Sequence, residues 1–91
     1  MRRLGGGVLD VGERTLNGAV AAILRGRKSE KLLTYEQLAE RTGMSVRTVK
    51  RLLHDQTDIA LGHLVKFADA FDTTAYEIMQ KADQSLASKS K

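Results

Sequence analysis

A chain of 91 residues with 42% hydrophobic content is sized for one small domain with one core, and leaves no room for a second. It has no cysteine, which excludes a disulfide framework and a thiolate zinc site and suits a reducing compartment, and two histidines, His54 and His63, do not make a structural metal site alone. The net charge of +4 is unevenly spread: residues 1–54 hold eleven Lys/Arg against five Asp/Glu and residues 55–91 four against six, so a basic half adjoins a mildly acidic one.

In chain order, Gly5-Gly6-Gly7 and the lack of periodicity around it predict a flexible arm over residues 1–12, with Arg2 and Arg3 at its tip. This start lacks the apolar stretch of a signal peptide, and no later run approaches a membrane span, so the expected location is the cytoplasm. Leu16, Ala19, Val20, Ile23 and Leu24 then follow the i, i+3, i+4, i+7, i+8 rule, which predicts a first helix over about residues 13–27. Arg25, Arg27, Lys28 and Lys31 gather at its end, where cations suit a helix C-terminus.

Thr34 and Gln37 have the spacing of a capping box and open a second helix. Leu38 and Ala39 supply its apolar contact, and Gly43 stands where a left-handed residue without a Cβ ends a helix at least cost. Ser45 is a second N-cap, and Val49, Leu52 and Leu53 are the apolar positions of the third helix. On that helix Lys50, His54, Arg47 and Arg51 fall within an arc of about 100°, opposite the apolar one. So short a turn makes the two helices cross steeply.

After a polar loop over residues 55–60, Leu61, Leu64, Val65, Phe67, Ala68 and Phe71 mark a fourth helix, whose role is core. Asp72 and Thr73 make a turn, and Thr74 with Glu77 is another capping box, opening a fifth helix with Ala75, Ile78, Met79, Ala82 and Leu86 on one side. Residues 85–91 read as a polar tail. Tyr76, Met79 and Leu86 exceed what a small core absorbs, so they form an apolar strip that either meets a partner copy or packs on the first helix.

Gln37-Leu38-Ala39, Gly43 five residues after Leu38, then Ser45, Val49 and Leu52 resemble the helix-turn-helix of the phage-repressor and Cro-like (XRE-type) DNA-binding family. The flanking helices extend the resemblance to about residues 13–83. It implies an all-α fold, a compact five-helix bundle of the lambda-repressor-like type, with residues 13–84 as the DNA-binding domain. It also implies that the second motif helix enters the major groove. On this basis Ser45, Val46, Arg47 and Arg51 are the base-reading positions, and Lys50 sits where a base or a phosphate is in reach. Thr48 and Tyr35 match phosphate-contacting positions. Arg25, Arg27 and Lys28 either serve only their own helix end or reach a flanking phosphate, and Arg2 and Arg3 either follow the DNA or belong to an ordinary loose terminus.

The chain departs from the family pattern twice. Thr42 stands where many relatives have an aliphatic residue, and His54-Asp55-Gln56 replaces the Glu-Asn-Gly that often closes the recognition helix.

The partner expected from these residues is a double-stranded operator, an inverted repeat bound by a homodimer, with no cofactor. Aromatic content of 4% leaves no stacking platform for single strands, because Phe67 and Phe71 have core spacing. No phosphate loop or catalytic constellation is present, since Gly5-Gly6-Gly7 lacks a following Lys-Ser/Thr. The expected function is a transcriptional regulator acting as a phage-type or prophage-type repressor. An antitoxin or a recombination accessory protein using the same motif is the alternative.

Overall fold

Five helices follow from these patterns in the computed structural model, which describes the backbone of residues 4–89 and the side chains of residues 16–87. They are α1 (Leu4–Glu30), α2 (Tyr35–Thr42), α3 (Val46–Leu53), α4 (Leu61–Ala70) and α5 (Ala75–Lys89), with no strand among the described residues. The described residues form an all-α fold, as the resemblance implies. At 1.5 Å per residue α1 is about 40 Å long. It packs along α5, and α2 and α3 pack on each other.

Two ends differ from expectation. The first helix opens at Leu4, so residues 4–12, read as an arm, are helical, while Arg2 and Arg3 lie outside the described residues. Each glycine of Gly5–Gly7 weakens a helix by about 1 kcal/mol relative to alanine, but it keeps its N–H and so does not stop propagation as proline would. At the other end α5 runs to Lys89 through most of the segment read as a tail, with Leu86 half-buried. A polar sequence without glycine or proline has no stop signal there.

Phe67, Phe71, Leu24, Leu38, Leu52, Leu53, Ile78 and Val49 are the largest fully buried side chains. They come from all five helices, so no helix has a core of its own. The Phe67 and Phe71 rings stack with centroids 6.2 Å apart. Burial of one such side chain contributes about 1.5–3 kcal/mol, which orients short helices that would be marginal alone.

Each of the first four helices ends on a residue in the left-handed region: Leu32 (φ 56°), Gly43 (φ 74°), Asp55 (φ 58°) and Asp72 (φ 57°). Around Leu32, Asp55 and Asp72 the bonds form Schellman motifs. Leu33, Gln56 and Thr73 donate to the carbonyls of Lys28, Arg51 and Ala68, and the left-handed residue itself donates to Ser29, Leu52 or Asp69. Only Gly43 signalled this device in advance.

Candidate nucleic-acid interface

The motif is built from local bonds outward. The Gln37 N–H donates to Thr34 Oγ1 at 3.0 Å and the Thr34 N–H to Gln37 Oε1 at 2.9 Å, which completes the expected capping box of α2. Gly43 ends α2 with its N–H on the Ala39 carbonyl. Thr42, buried in place of an aliphatic residue, satisfies its hydroxyl on the Leu38 carbonyl at 2.8 Å. This is how the interior accepts it.

The Thr48 N–H donates to Ser45 Oγ at 3.1 Å, which caps α3, and the Ser45 hydroxyl donates to Thr48 Oγ1 at 2.9 Å. Ser45, placed among the base-reading positions, thus has its hydroxyl proton engaged. The Thr48 hydroxyl, accepting that bond, keeps its own proton for an outside acceptor.

On α3, Val49, Leu52 and Leu53 are fully buried, while Arg47, Lys50, Arg51 and His54 are exposed and Val46 is half-buried. The two arcs are segregated as their spacing predicts. Val46, Arg47, Lys50 and Arg51 line a shallow concavity together with Gln56. Gln56 was not among the sequence-derived candidates, because it lies past the helix. The Schellman turn at Asp55 folds it back toward Arg51.

A second group forms at the junction of α1, α2 and α3. Tyr35 has its hydroxyl 2.7 Å from His54 Nε2, and the Lys28 and Lys50 ammonium groups stand 4.2 and 5.3 Å from its ring centroid. Both distances are within cation–π range. Three basic side chains from two helices therefore converge on one phenol.

The remaining basic candidates divide. Arg25 Nη1 donates to the Leu53 carbonyl, which ties α1 to the end of α3 and turns this guanidinium inward. This bond caps the Leu53 carbonyl at the end of α3, the helix-end role, and leaves the other guanidinium N–H groups for the flanking phosphate that is the alternative. Arg27 pairs with Glu30 at 3.5 Å. His63 Nδ1 accepts the Ala60 N–H at 3.1 Å, a helix-start role.

Asn17, also absent from the candidates, fastens the loop after α3. Its Nδ2 donates to Asp55 Oδ1 and to the Thr57 carbonyl, and its Oδ1 accepts the Ile59 N–H. Its position beside the α1 stripe carried no signal of a contact some forty residues away.

A helix-turn-helix family model matches residues 23–78, which is more than half of the chain and spans the whole α2–turn–α3 unit. The chain belongs to the XRE-type helix-turn-helix family. The XRE-type protein is thereby a DNA-binding transcriptional regulator, in a family of regulators and not of enzymes. Among solved structures its fold is similar to that of the clp gene regulator ClgR from C. glutamicum, with a TM-score of 0.71 and 23% identity over 77% of this chain and 91% of that one. No protein of curated function matches it. Among its described residues no helix is long and apolar enough to cross a membrane.

The apolar strip of α5 in this XRE-type protein divides in two. Met79 packs against the core and lines an apolar groove with Leu16, Val20, Ile59, Leu61 and Leu64, whereas Tyr76 is 72% exposed. The second box, at Thr74, is only half made: the Glu77 N–H donates to Thr74 Oγ1, but the Glu77 carboxylate accepts from the Thr73 hydroxyl.

Proposed function

We propose that the protein is a sequence-specific regulator of the phage or prophage repressor type, occupying operator DNA as a two-fold dimer on an inverted repeat. The observation that carries the reading is the division of α3, with Arg47, Lys50 and Arg51 exposed on one arc and Val49, Leu52 and Leu53 fully buried on the other. A helix held from behind presents a rigid cationic face to a groove. Arg47 and Arg51 read base edges beside Val46, Lys50 reaches a phosphate or a base, and Thr48, Tyr35 and Lys28 meet phosphates. Steric exclusion at a promoter is a mechanism that occupation of an operator by this domain supplies by itself.

Selection of bound duplexes from a random pool at defined salt tests this, followed by anisotropy titrations on the selected duplex and its separated strands. The expected result is an inverted-repeat consensus, preference for duplex, and a log–log salt slope of roughly −4 to −7 per protomer for about 5 to 8 phosphate contacts. Failure to enrich any sequence, or equal affinity for duplex and single strands, overturns it.

A further inference from the structure

We infer that His54 is a proton-gated member of a phosphate site formed with Tyr35, Lys28 and Lys50, so that duplex binding takes up a proton and weakens as pH rises. The inference rests on the proposed docking of α3 and extends it to a residue with no assigned role. Tyr35 Oη and His54 Nε2 are 2.7 Å apart, and both groups are near the surface. When the imidazole is neutral and Nε2 accepts, the phenol spends its only proton on that bond. The hydroxyl then presents lone pairs outward, which repel a phosphate oxygen. When Nε2 is protonated it donates to Tyr35 Oη, and the phenol O–H is released to donate to a phosphate oxygen. The neutral imidazole has a second tautomer that also donates from Nε2, whereas the imidazolium always does. The added proton therefore fixes the direction of the bond that frees the phenol O–H and adds a positive charge where an anion arrives.

The surrounding charges set the sign. From α1, Lys28 lies over the Tyr35 ring and Arg25 sits on the carbonyl of Leu53, the residue before His54. From α2 the titratable group in contact is Tyr35, and from α3 Lys50 lies over the same ring. Asp55, next in the chain, has its Oδ1 bonded to Asn17. A phosphodiester held between Lys28 and Lys50 brings negative charge beside His54 and favours the imidazolium. The bound state therefore holds the proton more tightly than the free state, and by linkage affinity falls with rising pH in the range where histidine titrates.

The test measures affinity for one fixed mixed-sequence duplex between pH 6 and 8 at constant ionic strength, with circular dichroism at each pH. The expected loss is roughly 3- to 10-fold per protomer across that range, since one linked proton allows at most about tenfold per pH unit. His54→Gln should flatten the profile and Tyr35→Phe should make it shallower, because the hydroxyl is lost while the charge of His54 remains, and His63→Gln should leave it unchanged. A flat wild-type profile with duplex binding intact overturns the inference and leaves the proposed function standing. A pH dependence as steep in Tyr35→Phe as in the wild type overturns the hydroxyl relay. No duplex binding at any pH overturns both.

Discussion

Asn17 Nδ2 lies 2.6 Å from Asp55 Oδ1, which joins the middle of α1 to the left-handed residue that closes α3. The same amide also holds Thr57 and Ile59, so one side chain sets the path of the loop leaving the recognition helix. Gly18 makes room for the contact, because a Cβ there would come within 3.1 Å of Asp55 Oδ2. Asn17→Ala removes three bonds and leaves the Ile59 N–H without its acceptor. A loss of about 1–3 kcal/mol is expected in urea unfolding, and duplex affinity should fall with it although Asn17 is not placed on the DNA. A stability within error of wild type would show that the loop holds itself.

Substitutions that ease the left-handed backbone are expected to differ in effect between Leu32 and Asp55. The Leu32 side chain is 87% exposed, so little packing offsets the cost of a non-glycine residue at φ 56°. Leu32→Asn should stabilise by about 0.5–1 kcal/mol, because asparagine tolerates this region. Asp55→Gly relieves a smaller backbone cost, because aspartate also tolerates this region, and deletes the bond to Asn17, so no net gain is expected. Thermal unfolding of both variants measures the difference, and equal stabilisation would show that the Asn17–Asp55 bond contributes nothing.

Arg47 and Thr48, adjacent in sequence, have different expected roles. Arg47 is exposed in the concavity, where its guanidinium suits guanine O6 and N7, whereas Thr48 is half-buried with its hydroxyl oxygen accepting from Ser45. Arg47→Ala should cost about 1–3 kcal/mol on the selected site and relax preference at one base pair per half-site. Thr48→Ala should weaken all sequences more evenly. Binding profiles over every single-base variant compare the two, with circular dichroism confirming the helices. A uniform loss in Arg47→Ala would move base reading to Arg51 and Lys50.

Tyr76 stands clear of the core at the start of α5, whereas Met79 does not. If α5 meets a partner copy, Tyr76→Ser should weaken dimer formation on DNA while leaving unfolding unchanged to within about 0.5 kcal/mol, as for a surface site. Sedimentation with and without the selected duplex reads this out. Half-site centres should lie roughly 10 bp apart. A wild-type protein that stays 1:1 on its site would remove the dimer from the proposal.

The sequence by itself determined what depends on spacing along one helix. The capping box at Thr34, the turn at Gly43, the cap at Ser45, and the separation of Arg47, Lys50 and Arg51 from Val49, Leu52 and Leu53 were all legible, because each is a relation between residues within a few turns. Only the tertiary structure decided which polar groups face inward. Arg25 caps α3, Asn17 binds Asp55, and Tyr35 collects His54, Lys28 and Lys50 through contacts between helices, and helical periodicity carries no information about the neighbour a side chain will meet. The ends of the helices divide in the same way. Gly43 announced its left-handed turn by lacking a Cβ, whereas Leu32, Asp55 and Asp72 adopt that conformation because the helices on either side must fold back onto a shared core.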